Sequence, residues 1–337
     1  MSAMLARVAD SLYWTARAIE RADTYARLLE VSHAMSRESA DTQAGDRSVW
    51  EPLVDITGDL EAFRRTHVHV NETSAVWFLS FADENPNSII SCITRARNNA
   101  QSVRDLLPTE VWEALNTVYL ELSSWPPGRL GRGGVYPFSR QVRRAVHLLH
   151  GLVDGSMRRD ATWHFLRLGR FAERADKVAR LLEVKYRLVL PEEAALVPGT
   201  EFHQWRSLLR SGGADEAYVK LATGKDSPRE LVQLLVVDDK FPRSIVFCLD
   251  QIAESLRHLV WAGDIAEAHN ALSLVAQTRA ELSRDVPSIN GSLATAMDHV
   301  QLRCNQIHAA LAESCFAYAP GYEGGAWHAQ AAGQPQN

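Results

Sequence analysis

Two stretches of this sequence set guanidinium and carboxylate groups at helical spacing. One is Arg17-x-x-Glu20-Arg21-x-Asp23, and the other is Arg170-x-x-Glu173-Arg174-x-Asp176. Residues three and four apart on a helix share a face. Arg17, Glu20 and Arg21 therefore point the same way, as do Arg170, Glu173 and Arg174. Two arginines flanking one carboxylate have two chemical uses. Closed inside the fold, they form a reciprocal Arg–Glu network that ties helices together. Open to a cleft, the arginines bind an anionic ligand, and a desolvated Glu20 or Glu173 can serve as general base.

Further polar clusters offer anion chemistry. Asn85, Asn87 and Ser88 lie in the helix entry Asp83-Glu-Asn-Pro-Asn-Ser88, where side chains cap backbone N–H groups and the helix terminus attracts anions. The counterpart entry, Asp239-Lys-Phe-Pro-Arg-Ser244, carries Arg243 instead of Asn87. On the helix that follows Ser88, Arg97, Gln101 and Arg104 share a face. The corresponding positions after Ser244 are Ala253, Arg257 and Val260, so that polar face belongs to one side only. The segment 126–134 holds Arg129 and Arg132 among four glycines. Backbone N–H groups plus arginines can cradle phosphate, but the Lys-Ser/Thr of a P-loop is missing. A mobile loop, a lid or a partner-docking loop is the expectation there.

Metal chemistry has little support. His67-x-His69 falls in an expected turn, and Cys304 and His308 have i, i+4 spacing with no third or fourth ligand. No metal site is expected. The motifs of serine hydrolases, zinc proteases and dinucleotide-binding folds are absent.

The elements that carry these residues are duplicated. Between Arg17–Val31 and Arg170–Val184, 11 of 15 positions are identical. The match continues from Trp50 to Trp205, and from Asp83, Pro86, Ser88, Ile89 and Cys92 to Asp239, Pro242, Ser244, Ile245 and Cys248. It ends with Ala114-Leu115 and Ala271-Leu272. The offset grows only from 153 to 157. Order and spacing held over four blocks imply two copies of one unit. We expect an all-α helical bundle of two tandem homologous copies, 1–156 and 157–320, in a pseudo-twofold relation with about six helices each. Helices are expected over about 7–37 and 162–190, with Leu12, Ala16, Ile19, Ala22, Ala26 and Leu29 as the apolar stripe of the first. Ser88 and Ser244 should open helices running to about Leu107 and Trp261. Thr109 and Ser227 should cap two more. The Gly- and Gln-rich tail 321–337 is expected to be disordered.

Composition sets the outer limits. The 337 residues are 46% hydrophobic and 23% charged, which is ordinary for a globular chain. The net charge of -5 gives no overall drive toward nucleic acid or anionic lipid. Four cysteines without a C-x-x-C suit neither a disulfide framework nor a zinc knuckle. No apolar run approaches the ~20 residues of a membrane span, and the N-terminus lacks a signal-peptide core. A cytoplasmic, soluble protein is the expectation.

A resemblance adds a context. Ala9-Asp-Ser-Leu-Tyr-Trp14 leads into Arg17-x-x-Glu-Arg21. Asn85-Pro-Asn-Ser88, Ala96-Arg97, Asn99-Ala100 and Val103-Arg104 follow. Trp112-Glu-Ala-Leu-Asn116 and Phe241-Pro-Arg-Ser-Ile-Val-Phe-Cys-Leu249 complete the set. Together, over about 1–318, these resemble the bacterial alpha-E family of helical proteins. Family members tend to have Glu and Arg where this chain has Asn98 and Gln101, which leaves Arg97 and Arg104 as the better binding candidates. The resemblance implies a neighbourhood rather than an activity. Alpha-E proteins are encoded beside, or fused to, circularly permuted ATP-grasp proteins, with transglutaminase-like peptidases and a proteasome-like protease nearby. ATP-grasp enzymes activate a carboxylate as an acyl phosphate and pass it to an amine. The implied setting is the making and turnover of a peptide or amide-linked product.

These readings converge on a non-catalytic helical partner of an ATP-grasp ligase. It would dock the enzyme or hold its carboxylate or peptide substrate. ATP and Mg would come only through that partner. The alternatives are an enzyme using Glu20 or Glu173 as general base, and a purely structural oligomerising scaffold.

Overall fold

The computed structural model describes residues 6–39, 47–189, 200–221, 228–261, 268–284 and 293–316. Among them every regular element is helical. Half one runs α1 (Ala6–Ser39), α2 (Arg47–Thr57), α3 (Leu60–Thr66), α4 (Glu72–Ser80), α5 (Ile89–Ser102), α6 (Thr109–Ser123) and α7 (Val135–Ser156). Half two runs α8 (Ala161–Val189), α9 (Thr200–Ser211), α10 (Asp215–Leu221), α11 (Pro228–Val232), α12 (Ile245–Trp261), α13 (His269–Arg284) and α14 (Leu293–Cys315). Among the described residues, 1–156 and 157–320 each show seven α-helices rather than about six. The extra ones are the short α3 and α10, which are too brief for a periodic signal.

α1 and α8 form the centre of the bundle, and their mutual contact is the most extensive in the molecule. α1 runs 34 residues without Pro or Gly to break it. Its apolar stripe, Leu12, Ala16, Ile19, Ala22, Ala26 and Leu29, is buried. α8 carries one glycine, Gly169, and the packing requires it. A Cβ at that position would lie 2.1 Å from the carbonyl oxygen of Tyr13. The bare backbone lets the two long helices touch.

Around this pair, α5 and α7 pack on α1, and α12 and α14 pack on α8. Buried residues from both halves join in one contiguous apolar cluster. Leu12, Leu29 and Phe78 are fully buried in it, and each such side chain contributes about 1.5–3 kcal/mol relative to exposure.

The two helices that abut the centre start alike. Ser88 Oγ accepts from Ser91 N at 3.2 Å to cap α5, and Ser244 Oγ accepts from Phe247 N at 3.0 Å to cap α12. α5 ends at Ser102, and Arg104–Leu106 forms a separate 3-10 turn. Thr109 is the first residue of α6 rather than its cap; Pro108 takes the cap position, where its fixed φ suits an extended entry. The glycine-rich segment is ordered as a 3-10 stretch, Pro127–Arg132, closed by Gly133 at φ 78°. Only glycine adopts that conformation without strain. α11 continues into a wider π-helical turn, Gln233–Val237, which buries Leu234, Leu235 and Val236. The cap Ser227 and the tail 321–337 lie outside the described residues.

No described helix is long and apolar enough to cross a membrane. All four cysteines are free thiols.

Candidate functional site

The Glu-Arg stripes of α1 and α8 face each other and interlock. Glu173 of α8 receives Arg17 Nε at 2.7 Å and Arg21 Nε at 2.5 Å, with Arg21 Nη2 at 3.0 Å. Lys177 Nζ stands 3.9 Å away. Glu20 of α1 receives Arg174 Nε at 2.6 Å and Nη2 at 2.7 Å, a two-pronged pair. Arg243 Nη1 and His150 Nε2 each stand 3.6 Å from it. Both glutamates are fully buried.

Their protonation follows from these neighbours. Burial pushes the Glu20 carboxyl upward, but the Arg174 charge and hydrogen bonds, with Arg243 and His150, outweigh it and hold Glu20 at about 2. The same contest, with Arg21, Arg17 and Lys177 on the other side, holds Glu173 well below the usual carboxylate range. A carboxylate so stabilised is a poor proton acceptor. His150 is pushed down to about 3, first by burial and then by Arg170, so its imidazole is neutral near pH 7.

The remaining candidates divide among several places. Asn87 joins the Glu173 centre: its Oδ1 accepts from Arg21 Nη1, and its Nδ2 donates to Asp59 Oδ1 at 2.8 Å. Asn85 is buried, donating to Phe78 O at 3.1 Å and accepting from Asn87 N at 2.9 Å. Arg243 stands where Asn87 does in the other half, and its Nη2 pairs with Asp23 Oδ2 at 2.7 Å. Arg170, the counterpart of Arg17, turns away from Glu20 and pairs with Asp154 at 3.0 Å, leaving its buried Nε without a hydrogen-bond partner.

Arg97 and Arg104 lie apart from this centre. Arg97 sits over the Tyr119 ring at 4.8 Å and donates to Asn116 Oδ1 at 2.9 Å, while Arg104 sits over Trp112 at 5.3 Å. Cation–π packing on α6 therefore arranges that face. Arg129 is exposed in the 3-10 stretch, and the Arg132 side chain lies outside the described residues. His67 stacks on Phe63 at 4.5 Å. His308 stacks on Tyr13 at 5.5 Å, and its Nδ1 lies 3.1 Å from the Tyr13 hydroxyl. Among the described residues no group of three or more His, Cys, Asp or Glu side chains gathers at metal-binding spacing.

Two cavities adjoin the ion-pair centre. One is small and apolar, about 40 Å3, lined by Ala16, Ile19, Leu115, Leu149 and Leu166, with His150 and Arg170 at its polar side. The other is a cleft of about 980 Å3 between the end of α1, the start of α7, the α9–α10 turn and the entry to α12. Among the described residues Arg27, Arg37, Arg143, Arg206, Arg210 and Arg243 line it, with Glu30, Asp215 and Glu216 as the carboxylates in the lining. Arg27 and Arg243 share Asp23 Oδ2, Arg143 pairs with Glu30 at 2.6 Å, and Arg206 and Arg210 both reach Asp215. Of these arginines only Arg243 stands out in the sequence. The rest come from three segments separated by more than sixty residues each, and the weak local signs are i, i+4 pairs such as Arg206–Arg210 and Arg143–His147.

Comparison with known proteins gives a consistent picture. The Alpha-E family model, described as "a predicted alpha-helical domain with a conserved ER motif", matches residues 4–316. Glu20-Arg21 and Glu173-Arg174 are the two Glu-Arg dipeptides in this sequence. Curated relatives include uncharacterized proteins of Mycobacterium tuberculosis and Mycobacterium bovis. Each is 26% identical over 270 residues, which is 75% of this chain and 30% of the relative. The chain thus covers less than a third of those relatives' length. No solved structure matches it.

Proposed function

We propose, on the premise that this chain belongs to the Alpha-E family, that it is a non-catalytic helical partner of an ATP-grasp ligase in amide-bond formation. The observation that carries this reading is the relatives' architecture. The matched region takes 30% of each mycobacterial chain, so there the helical unit is covalently joined to a larger protein. ATP and Mg would be held by the ligase, and this chain would supply docking and a site for the carboxylate or peptide substrate.

The site chemistry favours holding over catalysis. Glu20 and Glu173, the general-base candidates, are each engaged by two or more cations and buried. Arg17, Arg21 and Arg174 are likewise engaged with carboxylates. Arg243 is paired as well, with Asp23 and Glu20, but it lines the large cleft, so the ligand-facing role falls to that cleft, and ligase contact falls to the aromatic-backed pair Arg97 and Arg104. We further propose that the two halves, 1–156 and 157–320, are copies of one unit in a pseudo-twofold arrangement. The reciprocal pairs, Glu20 with Arg174 and Glu173 with Arg21, support this.

Co-expression with an ATP-grasp ligase tests the partnership. A complex that survives gel filtration and raises ligase turnover is expected. No complex and no change in turnover would overturn it. Ligase-independent product formation by this chain, lost in Glu20→Gln, would favour the enzymatic alternative.

A further inference from the structure

We infer that the arginine-lined cleft binds an acidic peptide, a short chain carrying two or more carboxylates. This rests on the partner reading for the peptide's place in a ligase reaction, and not for the binding itself.

Charge distribution is the first ground. The chain carries a net charge of -5, yet six arginines and two histidines line this one cleft against three carboxylates. A basic concavity on an acidic molecule gathers anions there and repels them elsewhere.

Size and layout are the second ground. The cleft holds about 980 Å3, at the upper end of the range of about 300–1,000 Å3 for small-ligand sites. A lone phosphate or acetate would fill little of it, whereas a peptide of a few residues would. Arg27 and Arg143 come from one half, and Arg206, Arg210 and Arg243 from the other. Separated cations suit carboxylates spaced along a backbone. Each planar guanidinium also matches a carboxylate two-on-two.

Local geometry is the third ground. Gly213, at φ 66°, lets the α9–α10 turn lie against the cleft arginines. A Cβ there would meet Arg27 Nη1 at 3.0 Å and Arg243 Cδ at 3.2 Å. Arg27 and Arg243 share one oxygen of Asp23, and Arg243 also approaches Glu20 at 3.6 Å, so the two carboxylates Asp23 and Glu20 serve three arginines, Arg27, Arg243 and Arg174. The Nε of Arg143 is buried with no hydrogen-bond acceptor. A ligand carboxylate entering the cleft would add the missing negative charge.

Isothermal titration of the whole chain with triglutamate tests this, with triglutamine, trilysine and inorganic phosphate as comparison ligands. Triglutamate should bind, and its affinity should fall as salt screens the charges. Triglutamine and trilysine should not bind, and phosphate should compete only weakly. The Arg206→Gln/Arg210→Gln double variant should bind triglutamate about tenfold more weakly, equivalent to about 1.4 kcal/mol. Its melting temperature should change little, because both side chains are partly exposed. If that variant does not fold, Arg143→Gln takes its place with the same expectation. Absence of triglutamate binding, equal binding of triglutamine, or phosphate competing as strongly as triglutamate would overturn the assignment. So would a folded double variant that binds like the parent. Triglutamate binding without ligase co-purification would defeat the partner reading alone. Co-purification without triglutamate binding would defeat this assignment alone.

Discussion

The centre built on Glu173 and the centre built on Glu20 begin from the same Glu-Arg pair and are completed differently. Around Glu173, Arg17 and Arg21 both donate, and Asn87 accepts from Arg21. Around Glu20, Arg174 donates, and Arg243 occupies the Asn87 position with its charge shared between Glu20 and Asp23. With that extra cation in place, Arg170 is not used on Glu20 and reaches Asp154 instead. No residue of the Glu173 centre lines either cavity. The Glu20 centre opens through Arg243 into the large cleft and adjoins the small apolar cavity through His150 and Arg170. The shared pairs hold the halves together, and the substituted positions create the accessible chemistry.

The largest expected effect comes from removing one centre's acid. Glu173→Gln leaves Arg17 and Arg21 without their carboxylate, while Lys177 keeps Asp176 at 3.2 Å. Breaking a buried pair in this way costs about 3–5 kcal/mol. Glu20→Gln should cost less, because Asp23 still neutralises Arg243. Urea midpoints of the two variants measure the difference. Equal losses would erase the distinction between the centres.

Acid should act on the Glu20 centre in two steps. In the unfolded chain His150 takes up a proton near 6.5 and Glu20 near 4.5, whereas in the fold these fall to about 3 and about 2. The unfolded state therefore binds more protons between each pair of values, and stability is lost as pH falls through those windows. The effect is on the order of a few kcal/mol. His150→Gln should remove the part that begins near pH 6.5 and keep the part that begins near 4.5. Melting curves from pH 8 to pH 2 would show it.

Gly169 and Ala16 occupy equivalent positions, and only Gly169 faces a backbone oxygen at 2.1 Å from a would-be Cβ. Gly169→Ala should push α8 from α1 and cost about 1–3 kcal/mol, while Ala16→Gly should open no such clash. Thermal denaturation of both variants compares them. Smaller still is Arg97→Gln on the aromatic face of α6. Loss of exposed cation–π contacts there should cost about 0.5–1 kcal/mol, with ligase affinity as the more sensitive readout.

Much of the scaffold is visible in the sequence because its cues are local. The 3.6-residue stripe of α1 and the serines before α5 and α12 act within one or two turns. The pairing of stripes is foreshadowed too, since two arginines beside a buried acid need an opposing partner. Spacing alone leaves both uses of Glu20 and Glu173 open. The deciding facts are full burial and the crossing of α1 with α8, which depends on Gly169. The cleft is harder to see. Arg27, Arg143, Arg206 and Arg210 are ordinary polar positions on three separate helices, and only tertiary packing brings them to one wall. His150 is similarly silent: its neutral state arises from burial beside Arg170, a residue twenty positions away.

The most direct measurement is turnover of the proposed ATP-grasp partner against chain concentration for two variants. These are Arg206→Gln/Arg210→Gln in the cleft and Glu20→Gln in the lock, each assayed at a temperature where circular dichroism shows it folded. The cleft variant should lose stimulation while keeping its stability. Folded Glu20→Gln should stimulate like the parent at lowered stability. Full stimulation by the cleft variant, with stimulation abolished in folded Glu20→Gln, would contradict the division between a structural lock and a ligand-holding cleft.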